Sequence, residues 1–146
     1  HIEWPIVIML AAMIPIGQAL ESTGITAQIA SEVVQLAGGL HVFWVLMIIL
    51  IITMLITDVI NNAATAVIMA PFSVNIALQL GQPLEPFLMV VAVGASCAFL
   101  TPIGHQCNTL VMGPGNYKFS DYWRLGLPVD VLIVAASIPM ILFVWL

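Results

Sequence analysis

The sequence predicts an all-α integral membrane fold, and its composition, hydropathy and charge each indicate this class. Of the 146 residues, 62% are hydrophobic and 6% are charged, and the mean hydropathy is +1.18. A water-soluble domain with this composition would expose large apolar patches, whereas lipid solvates such surfaces. The net charge of −5 with two basic residues argues against a nucleic-acid partner, because neutralising a phosphate backbone requires many cations.

Five apolar stretches have lengths that suit helices within a bilayer. They cover residues 4–20, 42–60, 63–80, 84–100 and 126–146. Residues 24–39 alternate apolar and polar side chains, which is typical of a short helix on the membrane surface. The first residue is His and no signal-peptide pattern follows it, so the chain is expected to be part of a longer protein.

Residues 42–80 are predicted to form a re-entrant helical hairpin. Only Asn61 and Asn62 separate its two apolar legs, which is too little chain to leave the bilayer, turn in water and return. Irregular backbone at membrane depth is tolerated only where protein surrounds it or where it lines a wet cavity. The hairpin tip therefore indicates a cavity within the protein.

Residues 84–112 are predicted to form a transmembrane helix that is broken near Thr101-Pro102. Proline disfavours helical geometry in the residue before it and lacks a backbone N–H, and Gly104 follows closely. Hairpins and broken helices usually occur as inverted pairs in secondary transporters. The chain is therefore expected to be one half of an inverted-repeat fold, with the other half upstream.

The two basic residues, Lys118 and Arg124, lie together in the polar segment 113–125. By the positive-inside rule this loop is predicted to be cytoplasmic. The last helix would then end outside the membrane, which places the C-terminus there.

Polar side chains at membrane depth are costly, so those near the hairpin tip are candidate functional groups. Thr57 and Asn61 are four residues apart and are predicted to share a helix face, where a hydroxyl and an amide oxygen could bind sodium together with free carbonyls. Asp58 suits either a proton or sodium ligand or a neutral acid bonded to a neighbouring helix. A simpler reading is that threonine hydroxyls only bond to the preceding turn.

An anion is expected where the second hairpin leg begins, near Ala63. Helix N-termini present unpaired N–H groups and a positive dipole end. Thr101 and Asn108 would add polar groups from the broken helix, although they could instead only satisfy the interrupted backbone.

The sequence shows no Ser-His-Asp spacing, glycine-rich phosphate loop or paired catalytic carboxylates, so an enzyme is not expected. His105 beside Cys107 favours a structural role over a metal site. Three alternatives stay open: a cation-selective channel subunit, an intramembrane enzyme and a purely structural subunit, the last opposed by the costly amides of Asn61 and Asn62. A proton-coupled carrier is a further alternative.

Two motifs resemble the divalent anion:sodium symporter family, the solute carrier 13 group. The first runs from Thr57 through Asn62 to Pro71, and the second runs from Thr101-Pro102 through Asn108 to Gly115. The later segment 117–128 strengthens the resemblance, which covers nearly the whole chain and corresponds to the C-terminal part of the family's membrane domain.

The resemblance implies symport of sodium with a small divalent anion, such as sulfate, thiosulfate or a dicarboxylate, by alternating access. It implies that Thr57, Asn62 and the carbonyl near Leu100 surround a sodium ion, and that Thr101 and Pro102 lie near the anion. Together with the polar residues above, the expected anion contacts are Asn61, Asn62, Thr101, Pro102 and Asn108. The family also implies a homodimer in the plasma (inner) membrane.

The hairpin tip departs from the family pattern at two of three positions. The family's Ser-Asn-Thr motif is replaced here by Asn61-Asn62-Ala63, so that only Asn62 matches. Asn61 can still offer an amide in place of a hydroxyl, but Ala63 has no polar side chain. The identity of the anion therefore stays open.

Overall fold

The computed structural model describes Pro15, Ala19, residues 22–24, Ser31 and residues 41–146. Within these residues all regular secondary structure is helical, as the sequence predicts. The helices are α1 (Val42–Thr57), α2 (Asn62–Leu80), α3 (Leu84–Ala95), α4 (Gln106–Met112) and α5 (Phe119–Trp145). The predicted span 4–20 and the predicted surface helix 24–39 lie almost wholly outside the described residues.

Two of the described helices, α2 and α5, are long and apolar enough to cross a membrane. Helices α1 and α3 are also apolar but shorter. Their lengths suit a part of the chain that turns or breaks at membrane depth, since about 20 helical residues are needed to cross the hydrocarbon core. The re-entrant path of α1 and α2 and the inverted repeat remain predictions.

Helix α3 packs against both α1 and α2, while α5 packs against α1 and α3. The approach of α3 to α1 is close, because a Cβ added to Gly94 would lie 2.8 Å from the Cβ of Thr53. A buried hydrogen bond from Ser73 Oγ to the carbonyl of Phe87 (2.9 Å) also connects α2 to α3. The buried apolar core includes Val45, Leu46, Ile49, Leu50, Ile76, Phe87, Val90 and Ile138.

The connection between α1 and α2 is a short tip, residues 58–61. Helix α1 ends at Thr57, three residues before the predicted end of its apolar stretch, and α2 begins at Asn62. The Asn61 side chain caps α2 by accepting a hydrogen bond from the backbone N–H of Ala64 at 2.8 Å. Thr57 and Asn61 therefore do not share a helix face, because one ends α1 and the other caps α2.

The interruption after α3 is longer than the sequence indicated. Helix α3 ends at Ala95, and the chain stays irregular until α4 begins at Gln106, so that the break spans residues 96–105. The side chains of Ser96 and Cys97 bond back to the carbonyls of Ala92 and Val93, at 2.8 Å and 3.1 Å. The backbone N–H groups of Ser96 and Cys97 bond to carbonyls three residues back, those of Val93 and Gly94, so the last turn tightens and the helix ends well before Pro102.

Helix α5 begins at Phe119, seven residues before the predicted start of the last apolar stretch. The side chain of Asp121 accepts a hydrogen bond from the backbone N–H of Lys118 at 2.8 Å, which stabilises the first turn. Hydropathy alone missed this turn because Ser120, Asp121 and Arg124 interrupt the apolar pattern.

Candidate functional site

The tip 58–61 and the break 96–105 are held together by hydrogen bonds. The Asp58 carboxylate Oδ1 accepts a bond from the backbone N–H of Leu100 at 3.0 Å. The Thr101 hydroxyl donates to the backbone carbonyl of Asp58 at 2.6 Å. A Cβ added to Gly104 would lie 2.9 Å from the carbonyl oxygen of Thr57, so the two segments approach at backbone distance. Residues from the two separate motifs thus lie together in the structure.

Three oxygen atoms converge at the end of α1. The Thr57 Oγ1 atom lies 2.9 Å from Asn62 Oδ1 and 3.0 Å from the carbonyl oxygen of Ala95. The hydroxyl is fully buried and has one proton, yet it faces two acceptors. A cation close to these three oxygens would satisfy the lone pairs that the single proton cannot.

The oxygen cluster differs from the predicted sodium ligands at one position. Thr57 and Asn62 are brought together as expected, but the carbonyl beside them belongs to Ala95 rather than to Leu100. The described contact of Leu100 is made by its N–H, which bonds to Asp58. The ion-binding role of each residue remains a prediction.

The Thr101 hydroxyl is fully used within the protein. It donates to the carbonyl of Asp58 and accepts bonds from the N–H groups of Ile103 (3.3 Å) and Gly104 (3.1 Å). A hydroxyl offers one donor and two acceptor sites, so these contacts saturate it. Thr101 therefore fixes the break against the tip, and its direct contact with an anion remains a prediction.

Asn108 bridges the two ends of the break. Its side-chain nitrogen donates to the backbone carbonyls of Ala98 (2.7 Å) and Thr101 (3.1 Å). The backbone carbonyl of Asn108 accepts a bond from the Tyr122 hydroxyl at 2.7 Å. The adjacent Pro102 is buried, and its carbonyl accepts a bond from the side chain of Thr109 at 2.6 Å. The polar side chains near the break thus satisfy its backbone and attach it to α5.

The whole chain, residues 1–146, matches the family described as citrate transporter. The chain belongs to this family. It is 40% identical over 96% of its length to the uncharacterized transporter YfbS of Escherichia coli, and 37% identical over 99% of its length to the uncharacterized transporter sll0640 of Synechocystis. It is also 30% identical over 94% of its length to sodium/sulfate cotransporter 1 of Chlamydomonas reinhardtii.

Membership of the citrate transporter family confirms the resemblance drawn from the two motifs. The family and the relatives are transporters rather than enzymes, and the chain is part of an integral membrane protein. It spans 23% and 24% of the lengths of YfbS and sll0640, so it corresponds to about a quarter of those proteins.

Two residues considered for enzyme or metal chemistry have structural contacts. His105 caps α4 by accepting a hydrogen bond from the backbone N–H of Cys107 at 3.2 Å, and both side chains are exposed. Among the described residues, no group of three or more His, Cys, Asp or Glu side chains could hold a metal ion.

One acid near the break, Asp130 of α5, is not among the residues that the sequence predicts. Its Oδ1 atom is buried and has no hydrogen-bond partner among the described residues. Asp130 lies near the start of an apolar stretch, where acids often reach the membrane surface, so its position predicts no functional role. Its place became clear only from the structure, because Gly126, four residues earlier on the same helix face, lies against the break.

Proposed function

We propose that this chain supplies one half of the binding site of a sodium-coupled symporter for a small divalent anion, with sulfate as the first candidate. Relatives named sodium/sulfate cotransporters support both the coupling ion and the anion. Membership of a transporter family supports the general activity. The observation that favours sodium most strongly is the oxygen cluster of Thr57, Asn62 and Ala95.

The oxygen cluster has the chemistry that sodium needs. Hard cations bind hydroxyl, amide and carbonyl oxygens, and all three kinds meet at Thr57. Broken helices supply such carbonyls in secondary transporters, because the carbonyls at an interrupted helix end have no helical partner. The Ala95 carbonyl at the end of α3 is one of these.

The anion is proposed to bind at the N-terminus of α2, between the tip and the break. Asn61 and Asn62 lie at this helix end, where the positive dipole favours an anion. The two basic residues, Lys118 and Arg124, lie before and at the start of α5, and the contacts described for them are with their neighbours Asp121 and Trp123. Sodium therefore provides the local positive charge, which favours sodium binding before the anion.

Transport is proposed to proceed by alternating access, with the tip and break moving together. Two hydrogen bonds join these segments, one from Thr101 to Asp58 and one from Leu100 to Asp58. Because the contacts are short and partly buried, the two segments can move as one body that contains sodium and the anion. Asn108 and Pro102 would shape the anion site from the break.

The proposal predicts that Asn62→Ala strongly lowers sodium-driven uptake. The full-length protein is reconstituted in liposomes, and uptake of labelled sulfate, thiosulfate and succinate is measured with and without an inward sodium gradient. Loss of the amide removes one ligand of the oxygen cluster and one group at the start of α2. We expect sulfate uptake at least about tenfold lower, since an interaction with an ion contributes about 1.5–3 kcal/mol.

The matched control is Asn75→Ala on the same helix. The Asn75 amide donates to the carbonyl of Pro71 at 2.9 Å, within its own helix and away from the tip. This variant is expected to retain sodium-driven uptake. Equal uptake by Asn62→Ala and the wild type, or uptake without a sodium gradient in the wild type, would contradict the proposed function.

We further infer that residues 113–125 face the cytoplasm and that α5 ends outside, in a homodimer of the plasma (inner) membrane. Exposed Ser120 near the start of α5 offers a labelling site. In a full-length protein without other cysteines, Ser120→Cys should react with a membrane-impermeant maleimide only after the cells are permeabilised. Labelling of Ser120→Cys in intact cells would contradict this orientation, because it would place residues 113–125 outside.

A further inference from the structure

Asp130 lies beside the break because α5 packs closely against the break at Gly126. A Cβ added to Gly126 would lie 2.4 Å from the carbonyl oxygen of Phe99 and 3.1 Å from the backbone nitrogen of Leu100. Asp130 follows four residues later on the same helix face, one turn away. It also lines a groove with Leu100, whose N–H is bonded to Asp58. Leu100 is thus bonded to one acid and lines a groove with the other.

Each acid has one buried carboxylate oxygen without a partner among the described residues. For Asp58 this atom is Oδ2, and for Asp130 it is Oδ1. The Asp58 side chain is 4% exposed, so water does not replace the missing partner. Both acids therefore have a carboxylate oxygen that a bound cation could satisfy.

Two neighbouring acids at membrane depth need either a proton or a compensating cation. An unpaired buried charge costs several kcal/mol, and two like charges increase the cost. The described residues include no ion pair to either acid, and Lys118 and Arg124 lie at exposed positions of the polar segment. The nearby thiol of Cys97 donates to the carbonyl of Val93 at 3.1 Å and brings no charge.

We propose that Asp58 and Asp130 bind a second sodium ion, distinct from the ion at Thr57 and Asn62. The proposal rests on the proposed sodium-coupled function and extends it by a second ion site in this chain. Two carboxylates can supply up to four oxygens to a hard cation, and irregular backbone at residues 96–101 can supply carbonyls. The Phe99 carbonyl, which faces Gly126, is the first candidate.

The two ion sites are separate because consecutive side chains point in different directions at the end of α1. The Thr57 hydroxyl faces Asn62 and Ala95, whereas the Asp58 carboxylate faces Leu100 in the break. Successive residues of a helix are rotated by about 100°. One ion would therefore lie between the tip and the end of α3, and the other between the tip and α5.

The proposal predicts that Asp130→Asn lowers the number of sodium ions transported with each anion by one. The full-length protein in liposomes is given labelled sodium and labelled sulfate, and the ratio of the two initial fluxes is measured. Asparagine has nearly the same shape as aspartate but lacks the charge, so the ion loses its main ligand. Asp58→Asn should lower the ratio in the same way, and Asp130→Glu should restore it at least in part.

A binding measurement provides a readout that does not depend on transport. The melting temperature of the purified full-length protein is measured in sodium chloride and in choline chloride, at several pH values. Sodium should stabilise the wild type more than Asp130→Asn. The matched control is Glu85→Gln, which removes one acid at an exposed position of α3 and should leave both the flux ratio and the sodium effect unchanged.

Three outcomes would overturn the second ion site. These are an unchanged flux ratio in Asp130→Asn, an unchanged sodium effect on its melting temperature, and an effect that follows pH but not sodium. The last result would assign a proton to the two acids. Failure of the proposed function would appear in a different variant, Asn62→Ala. A normal sodium response in Asn62→Ala, together with a reduced response in Asp130→Asn, would contradict the ion site at Thr57 and Asn62 and would support only the site at the two acids.

Discussion

Gly126→Ala is expected to abolish transport, although the substitution adds one methyl group and lies outside both signature motifs. The added Cβ would lie 2.4 Å from the carbonyl oxygen and 2.6 Å from the carbonyl carbon of Phe99. These are backbone atoms, so no side-chain rotation can relieve the overlap. Helix α5 would have to move away from the break.

The expected loss of stability is about 3 kcal/mol or more, at the upper end of the usual cost of overpacking. The larger effect is on the site, because moving α5 also disturbs the bond from Tyr122 to Asn108 and the position of Asp130. Uptake by the full-length protein in liposomes should fall to background. Its melting temperature in detergent, measured on the same preparation, reports the change in stability.

The matched control for this substitution is Gly113→Ala. Gly113 follows α4 at an ordinary helical φ of −67°, and a Cβ there would meet no atom within 4 Å. This variant should keep wild-type uptake and melting temperature. If Gly126→Ala behaves in the same way, then α5 does not pack closely on the break in the assembled transporter.

The tip and the break could be predicted because single residues mark them. The pair Asn61-Asn62 between two apolar runs indicated the tip, and Thr101-Pro102 with Gly104 indicated the break. Such residues act locally, through capping side chains or a missing N–H. The helix boundaries were less accurate, because α3 ends where backbone bonds such as that from the Cys97 N–H to the carbonyl of Gly94 replace helical ones.

The partners of the site residues could not be predicted, because they come from distant parts of the chain. Thr57 meets the Ala95 carbonyl, 38 residues later, and a backbone carbonyl has no signature in the sequence. The contact depends on the packing of α3 against α1, which hydropathy does not specify. Asp130 was missed for the same reason, since its neighbours Phe99 and Leu100 are defined only by the approach of α5.

Thr57→Val is expected to reduce the sodium affinity of transport about 10- to 100-fold, since a hydrogen bond or ligand to a charged group contributes about 1.5–3 kcal/mol. Valine has the shape of threonine but lacks the hydroxyl that lies between Asn62 and Ala95. The measurement is sulfate uptake by the full-length protein as a function of external sodium. Thr57→Ser keeps the oxygen and should remain close to the wild type.

The closest control is Thr53→Val, one helical turn earlier in α1. Thr53 is also fully buried, but its hydroxyl donates to the carbonyl of Ile49 at 2.7 Å, within its own helix. Both valine variants bury the same extra methyl group and remove one hydroxyl, so they share any general effect on stability. A rise in the sodium requirement of Thr57→Val alone assigns the Thr57 oxygen to the ion. An equal change in both would mean that Thr57, like Thr53, only satisfies backbone carbonyls, and that sodium binds elsewhere in the transporter.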